Sequence, residues 1–269
     1  MEENKRGILV IIGGAEDKEN QCTILKKIAK LAGGKEGKLV VLTAATEYPS
    51  QVGKEYKDIF TQLGISNVDA LHIEKREDAE DPESLTRMED ADCIFFTGGD
   101  QLKITSLIGG TKTEHFLKSA FSEGLVIAGT SAGASVMSET MIISGTDDEA
   151  PKRCTVKMAP GLGLIKGVVI DQHFAQRGRI GRLLAAIAQN PGMLGIGLDE
   201  DTAVVVNPNN ILEVIGSNAA AILDGARSSY TNVSESNPDD ILAFTDVILH
   251  ILPKDHKFDL RNRTPILRR

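Results

Sequence analysis

The stretch Val126-Ile127-Ala128-Gly129-Thr130-Ser131-Ala132-Gly133-Ala134-Ser135 places a serine two residues from a glycine on either side, at the end of a short apolar run. A G-x-S-x-G pattern between a strand and a helix is the arrangement of a nucleophile elbow. The turn admits only small neighbours beside the serine, and the helix start aims free N–H groups at negative charge as it develops. The plain alternative is a glycine-rich connection in which Ser131 only caps a helix. A serine nucleophile also needs a base within hydrogen-bond reach and a group that orients the base. Of the five histidines, His72 ends a strand beside charged residues, His115 sits on a helical stretch, and His250 and His256 lie near the C-terminus. His173 alone falls in a dense polar cluster, Asp171-Gln172-His173-Phe174-Ala175-Gln176-Arg177-Gly178-Arg179-Ile180-Gly181-Arg182, directly after the apolar run 168–170.

Arg177, Arg179 and Arg182 crowd this segment of an otherwise acidic chain. Guanidinium groups grip carboxylates in bidentate fashion, so a small anionic ligand group is expected here, while Asp171 suits a cationic one. A solvated helix start carrying three arginines is the alternative. The orienting acid is open at this point: Glu200 lies in the acidic turn Asp199-Glu200-Asp201, and Asp147, Asp148 and Glu149 stand between Ser131 and His173. Backbone N–H groups near Gly99-Asp100 and of Ala132 are the expected oxyanion donors.

These groups need a scaffold that brings them to one edge. The apolar runs 8–12, 39–42, 93–96 and 125–128 are near-continuous, as in strands buried on both faces. Between them, Ile24, Leu25, Ile28 and Leu31, then Val52, Tyr56, Ile59, Phe60 and Leu63, recur at helical spacing. Such alternation predicts βαβ units in an α/β fold with a mainly parallel sheet flanked by helices, whose ligands bind beyond the carboxyl ends of the strands. Gly13-Gly14, Thr43-Ala44-Ala45, Gly98-Gly99-Asp100 and Gly129-Thr130-Ser131 all fall at those ends. Downstream, the apolar runs 194–198, 203–206, 211–215 and 219–223 predict an antiparallel strand extension that closes the sheet as a meander, with a further strand over 244–252. The tail from 253 to 269 is expected to be an irregular surface extension, since Pro253 and Pro265 discourage regular structure. No repeat or linker interrupts the sequence, so one domain over 1–269 is expected.

A net charge of −8 argues against general nucleic-acid binding, which needs an excess of cations. No apolar run is long enough to span a membrane as a helix, and residues 1–12 lack the architecture of a signal peptide. Cys22, Cys93 and Cys154 are scattered and odd in number, which suits a reducing cytoplasm; none has a Cys or His at ligand spacing, so no metal is expected. Neither G-x-G-x-x-G after the first strand nor a P-loop occurs, and no cofactor is expected.

Thr97-Gly98-Gly99-Asp100-Gln101, Gly129-Thr130-Ser131-Ala132-Gly133-Ala134 and Asp171-Gln172-His173-Phe174 with Arg177, Arg179 and Arg182 together closely resemble the cyanophycinase family of serine peptidases, the family that also holds the aspartyl dipeptidase of bacteria. The resemblance runs from Gly13-Gly14 to about Asp224-Gly225. It implies a fold like class I glutamine amidotransferases and a cytoplasmic homodimeric exopeptidase that cuts cyanophycin into β-aspartyl-arginine dipeptides. This substrate is a poly-aspartate backbone with arginine on each β-carboxyl. Carried over to this sequence, the resemblance makes Ser131 the nucleophile, His173 the general base and Glu200 the orienting acid. In the dipeptidase branch the acid comes earlier, which keeps Asp147 and Glu149 as alternatives. Gln101, Asp171, Gln172, Arg177, Arg179 and Arg182 become the implied substrate pocket. An aspartyl dipeptidase and a non-catalytic amidotransferase-like binding module are the competing functions.

Overall fold

The computed structural model describes residues 6–147 and 150–267. Asp148 and Glu149, two of the alternative acids, lie outside the described residues, as do Arg268 and Arg269 of the tail.

The first half alternates strand and helix: β1 (Leu9–Ile12), α1 (Thr23–Leu31), β2 (Lys38–Leu42), α2 (Pro49–Gln62), β3 (Asn67–Leu71), α3 (Pro82–Glu89), β4 (Cys93–Phe96), α4 (Gln101–Ile108), α5 (Lys112–Ser122), β5 (Val126–Thr130) and the short α6 (Ala132–Ser135). Strands β3, β2, β4, β5 and β1 lie side by side in that order, all parallel. Apart from Lys38, every residue of β1, β2, β4 and β5 is buried. Successive side chains point to opposite faces, so each apolar run feeds two cores. Leu9, Ile11, Val40 and Phe96 pack with Met88, Ile104, Ile108 and Leu117 of α3, α4 and α5. Val10, Ile12, Val41 and Phe95 pack with Ile24, Leu25 and Ile28 of α1 and with Tyr56 and Phe60 of α2.

The second half comprises β6 (Thr140–Gly145), β7 (Val156–Pro160), β8 (Val168–Asp171), α7 (Ile180–Gln189), β9 (Leu194–Leu198), β10 (Thr202–Val206), β11 (Ile211–Gly216), β12 (Ala219–Asp224), β13 (Ile248–Pro253), β14 (Lys257–Asp259) and β15 (Thr264–Ile266). Among the described residues, β10, β11, β14 and β15 extend the main sheet antiparallel beyond β1 to nine strands. A second sheet has the order β13-β12-β9-β8, and β6 pairs with β7. No helix among the described residues is long and apolar enough to cross a membrane.

Three expectations are corrected. The four runs from 194 to 223 are strands, but they do not form one meander: β9 and β12 pair in the second sheet while β10 and β11 join the first. The chain crosses from one sheet to the other at the acidic turn 199–201, where the Gly14 carbonyl accepts the Asp201 N–H and β10 pairs with β1 rather than with β9. Gly197 of β9 leaves room for Phe174, since a Cβ there would come within 2.5 Å of its ring. The tail is not irregular either. Asp259 Oδ1 accepts the N–H groups of Arg261 and Asn262 and closes a turn between β14 and β15. Pro265 sits on the outermost strand, where a missing N–H costs the sheet little. The strand expected from residue 244 begins at Ile248 instead.

Candidate active site

The carboxyl end of β1 organises the site through three consecutive carbonyls. Ile12 accepts the N–H of Ser131 at 3.1 Å, Gly13 that of His173 at 2.8 Å and Gly14 that of Asp201 at 2.9 Å. One short stretch of backbone therefore fixes the elbow after β5, the turn after β8 and the acidic turn before β10. These turns come together because β10 runs antiparallel to β1, with Ile12 opposite Ala203, and β8 runs parallel to β9, with Asp171 opposite Gly197.

Ser131 has φ +53° and His173 φ +49°, left-handed conformations that non-glycine residues adopt at a cost of about 1–3 kcal/mol each. The serine does not cap α6: its side chain makes no capping bond. Its Oγ lies instead 3.1 Å from His173 Nε2, and His173 Nδ1 lies 2.6 Å from Glu200 Oε1. An ionised carboxylate only accepts, so Nδ1–H donates to Glu200 and Nε2 is left to accept from the serine hydroxyl. Glu200 is itself held, its N–H donating to Gln176 Oε1 at 3.0 Å and its carbonyl accepting from Asn218 Nδ2 at 2.8 Å. The other histidines are engaged elsewhere: His72 with Thr43, His115 with the Thr111 carbonyl, His250 against Phe258 and His256 with the Lys254 carbonyl.

The glycines of the elbow are there for close approach. A Cβ on Gly129 would stand 2.4 Å from the Gly133 carbonyl oxygen, and one on Gly133 would stand 2.5 Å from that of Phe96. Gly14 has φ +98°, and a Cβ there would fall 2.4 Å from His173 Cε1. Gly14→Ala is therefore expected to push the imidazole off its line to Ser131 and to lower kcat by about 100-fold or more, the usual cost of a misplacement near 1 Å. Steady-state kinetics on a variant with wild-type circular dichroism checks this.

Of the expected oxyanion donors, Asp100 is occupied, its N–H donating to the Ala45 carbonyl at 3.1 Å. The N–H groups of Gly99 and Ala132 find no acceptor among the described residues. Ala132 N–H belongs to the first residue of α6, where the helix offers no partner.

The polar cluster after β8 is mostly an internal network. Asp171, 1% exposed, receives both Nε (2.7 Å) and Nη2 of Arg182, and Arg179 Nη1 stands 3.6 Å away. Arg179 Nε and Arg182 Nη1 also share Asp147 Oδ1, at 2.9 and 3.3 Å. Gln172 accepts from Arg179 through its carbonyl and its amide oxygen. Burial pushes the Asp171 carboxyl up against the pull of Arg182 and Arg179, and burial also lowers Arg179. Asp171→Asn would break this buried ion pairing and leave Asp147 as the one carboxylate among the described residues serving both guanidinium groups, so it is expected to cost about 3–5 kcal/mol of stability, read as a lower urea midpoint. Arg177 is exposed, and Gln101 donates its amide to the Ile142 carbonyl of β6 at 2.9 Å. Asp147, the earlier alternative acid, is thus engaged with arginines while Glu200 meets the histidine.

Residues 9–247 match the model of peptidase family S51. Cyanophycinase of Synechococcus elongatus is 39% identical over 257 residues, covering 95% of this chain and 80% of the relative. Cyanophycinase of Geminocystis herdmanii (strain PCC 6308) is 37% identical over 267 residues, 99% of this chain and 98% of the relative. The fold is shared with the crystal structure of a peptidase from an acI-B1 Actinobacterium, at TM-score 0.63 and 24% identity over 92% of this chain and 98% of that one. It is also shared with a putative peptidase E protein from Listeria monocytogenes EGD-e, at TM-score 0.53 and 18% identity over 78% and 97%.

Proposed function

The chain belongs to peptidase family S51, and from that premise we propose that it is a serine exopeptidase that hydrolyses cyanophycin to β-aspartyl-arginine dipeptides, using Ser131, His173 and Glu200. The substrate assignment rests on similarity along nearly the whole chain to relatives named cyanophycinase. The residue roles rest on one observation: hydroxyl, imidazole and carboxylate stand in series at 3.1 and 2.6 Å.

In this mechanism Ser131 Oγ attacks the scissile backbone carbonyl carbon while His173 Nε2 takes its proton. The Nδ1–H bond to Glu200 keeps the ring in the right tautomer and stabilises the imidazolium that forms. The N–H groups of Gly99 and Ala132 stabilise the oxyanion. His173 then protonates the leaving amine, the C–N bond breaks, and an ester to Ser131 remains. Water, deprotonated by the same imidazole, attacks that ester, and the proton returns to Oγ as the acid product leaves. In the substrate pocket, Gln101, Gln172 and exposed Arg177 contact the polymer, while the Asp171, Arg179 and Arg182 network forms a rigid charged wall behind them. One α/β peptidase domain over 1–269, a cytoplasmic setting and a homodimer complete the reading. The exposed apolar residues Leu249 and Ile251 of edge strand β13 support the dimer.

Incubation with purified polymer and mass analysis of the products tests the proposal. Release of β-aspartyl-arginine supports it. Intact polymer alongside rapid cleavage of short aspartyl dipeptides overturns the substrate assignment.

A further inference from the structure

A cavity of about 230 Å³ opens beside the nucleophile, between the loop after β1 and helix α2, with Glu16, Lys18, Glu55, Tyr56, Gly98 and Ser131 in its lining. It is roughly the space of seven or eight waters. None of the six pocket residues expected from the sequence lines it.

Glu16 is the unusual member. It is 5% exposed, its Oε2 accepts from Thr130 Oγ1 at 2.6 Å, and its Oε1 accepts from the Tyr56 hydroxyl. Both donors are neutral hydroxyls, and Glu16 has no ion-pair partner among the described residues. A buried carboxylate without a cation is costly to hold. At the cavity mouth, Lys18 Nζ sits 4.3 Å from the centroid of the Tyr56 ring and 2.8 Å from Glu55 Oε1. An aromatic face beside a carboxylate is a cation-binding arrangement, here filled by the protein's own ammonium. Beyond it, the Glu16 carboxylate lies one residue from the nucleophile through its bond to Thr130.

Resting on the peptidase reading above, we propose that this cavity is the subsite for one arginine side chain of the substrate, with Glu16 as the residue that selects its guanidinium. Lys18 is the resident cation that swings out when the side chain enters. A planar guanidinium brings several N–H donors to Glu16 and Glu55 and can stack on Tyr56, which a neutral isostere cannot match.

The test uses a substrate of two β-linked aspartyl-arginine units with one scissile bond, and two analogues in which citrulline replaces either arginine. With the wild-type chain, citrulline at one of the two positions is expected to lower kcat/KM by about 10- to 100-fold, the worth of a charge-assisted bond. Glu16→Gln is expected to shrink that ratio to about threefold, with its loss on the arginine substrate falling in KM. A purely structural Glu16 would lower both substrates alike and leave the ratio unchanged, which overturns the proposal. So does a wild-type chain indifferent to citrulline at both positions. Lys18→Met, at a partly exposed residue, provides a second measure: a lower KM for the arginine substrate only is expected, and an unchanged KM overturns the displacement of Lys18. If the unmodified two-unit substrate is not cleaved at all, the peptidase reading falls, and this proposal with it.

Discussion

Replacing Ser131 with alanine is expected to lower turnover by about a million-fold, to the level that binding and oxyanion donors sustain without a nucleophile. The effect is this large because the acyl-enzyme route needs an oxygen at this one point. Stability should barely change. The hydroxyl makes no capping bond and contacts His173 across 3.1 Å, and alanine meets the same φ of +53° that serine already adopts. A surface-like shift within about 0.5 kcal/mol is therefore expected. Substrate should still bind, so a binding isotherm on the polymer beside a kcat measurement separates loss of chemistry from loss of recognition.

Glu200→Gln is expected to lower kcat by about ten thousand-fold with little change in KM. The reason is tautomeric. The glutamine amide can donate to Nδ1, which moves the ring proton to Nε2 and leaves Ser131 facing a donor where it needs an acceptor. The backbone bonds of Glu200 to Gln176 and Asn218 do not involve the carboxylate, so the turn should survive the change. Asp147→Asn is the matched control. Its carboxylate serves Arg179 and Arg182, so kcat should stay within about tenfold of wild type. Steady-state kinetics on the pair checks the assignment; the opposite ranking would move the acid to the earlier loop.

The elements of this molecule whose burial is written in their own side-chain pattern were legible in advance. Runs such as Leu9 to Ile12 and Cys93 to Phe96 announced themselves because both faces are buried, and α1 and α2 because one face is. The site edge was legible too, since four turns of small residues close strands that run parallel. What escaped is long-range. Nothing local in β9 or β12 states which sheet each will join; the crossing is marked by the Asp201 N–H, held by the Gly14 carbonyl far upstream. The three arginines read as a cleft for anions because Asp147, which neutralises two of them, comes from another loop. Glu16 gave no signal beyond the first acid of a charged stretch after Gly13-Gly14-Ala15, and its hydroxyl partners sit on α2 and β5. The same glycines marked a strand end, but not a backbone stretch that accepts from serine, histidine and the acidic turn in succession.

The most direct measurement is the mass of the enzyme quenched in acid within milliseconds of mixing with excess two-unit substrate, followed by peptide mapping. An aspartyl-arginine adduct in ester linkage on the peptide that carries Ser131, absent from the Ser131→Ala chain, is the expected result. An adduct on any other side chain, or a Ser131→Ala chain that turns over at the wild-type rate, would contradict the account.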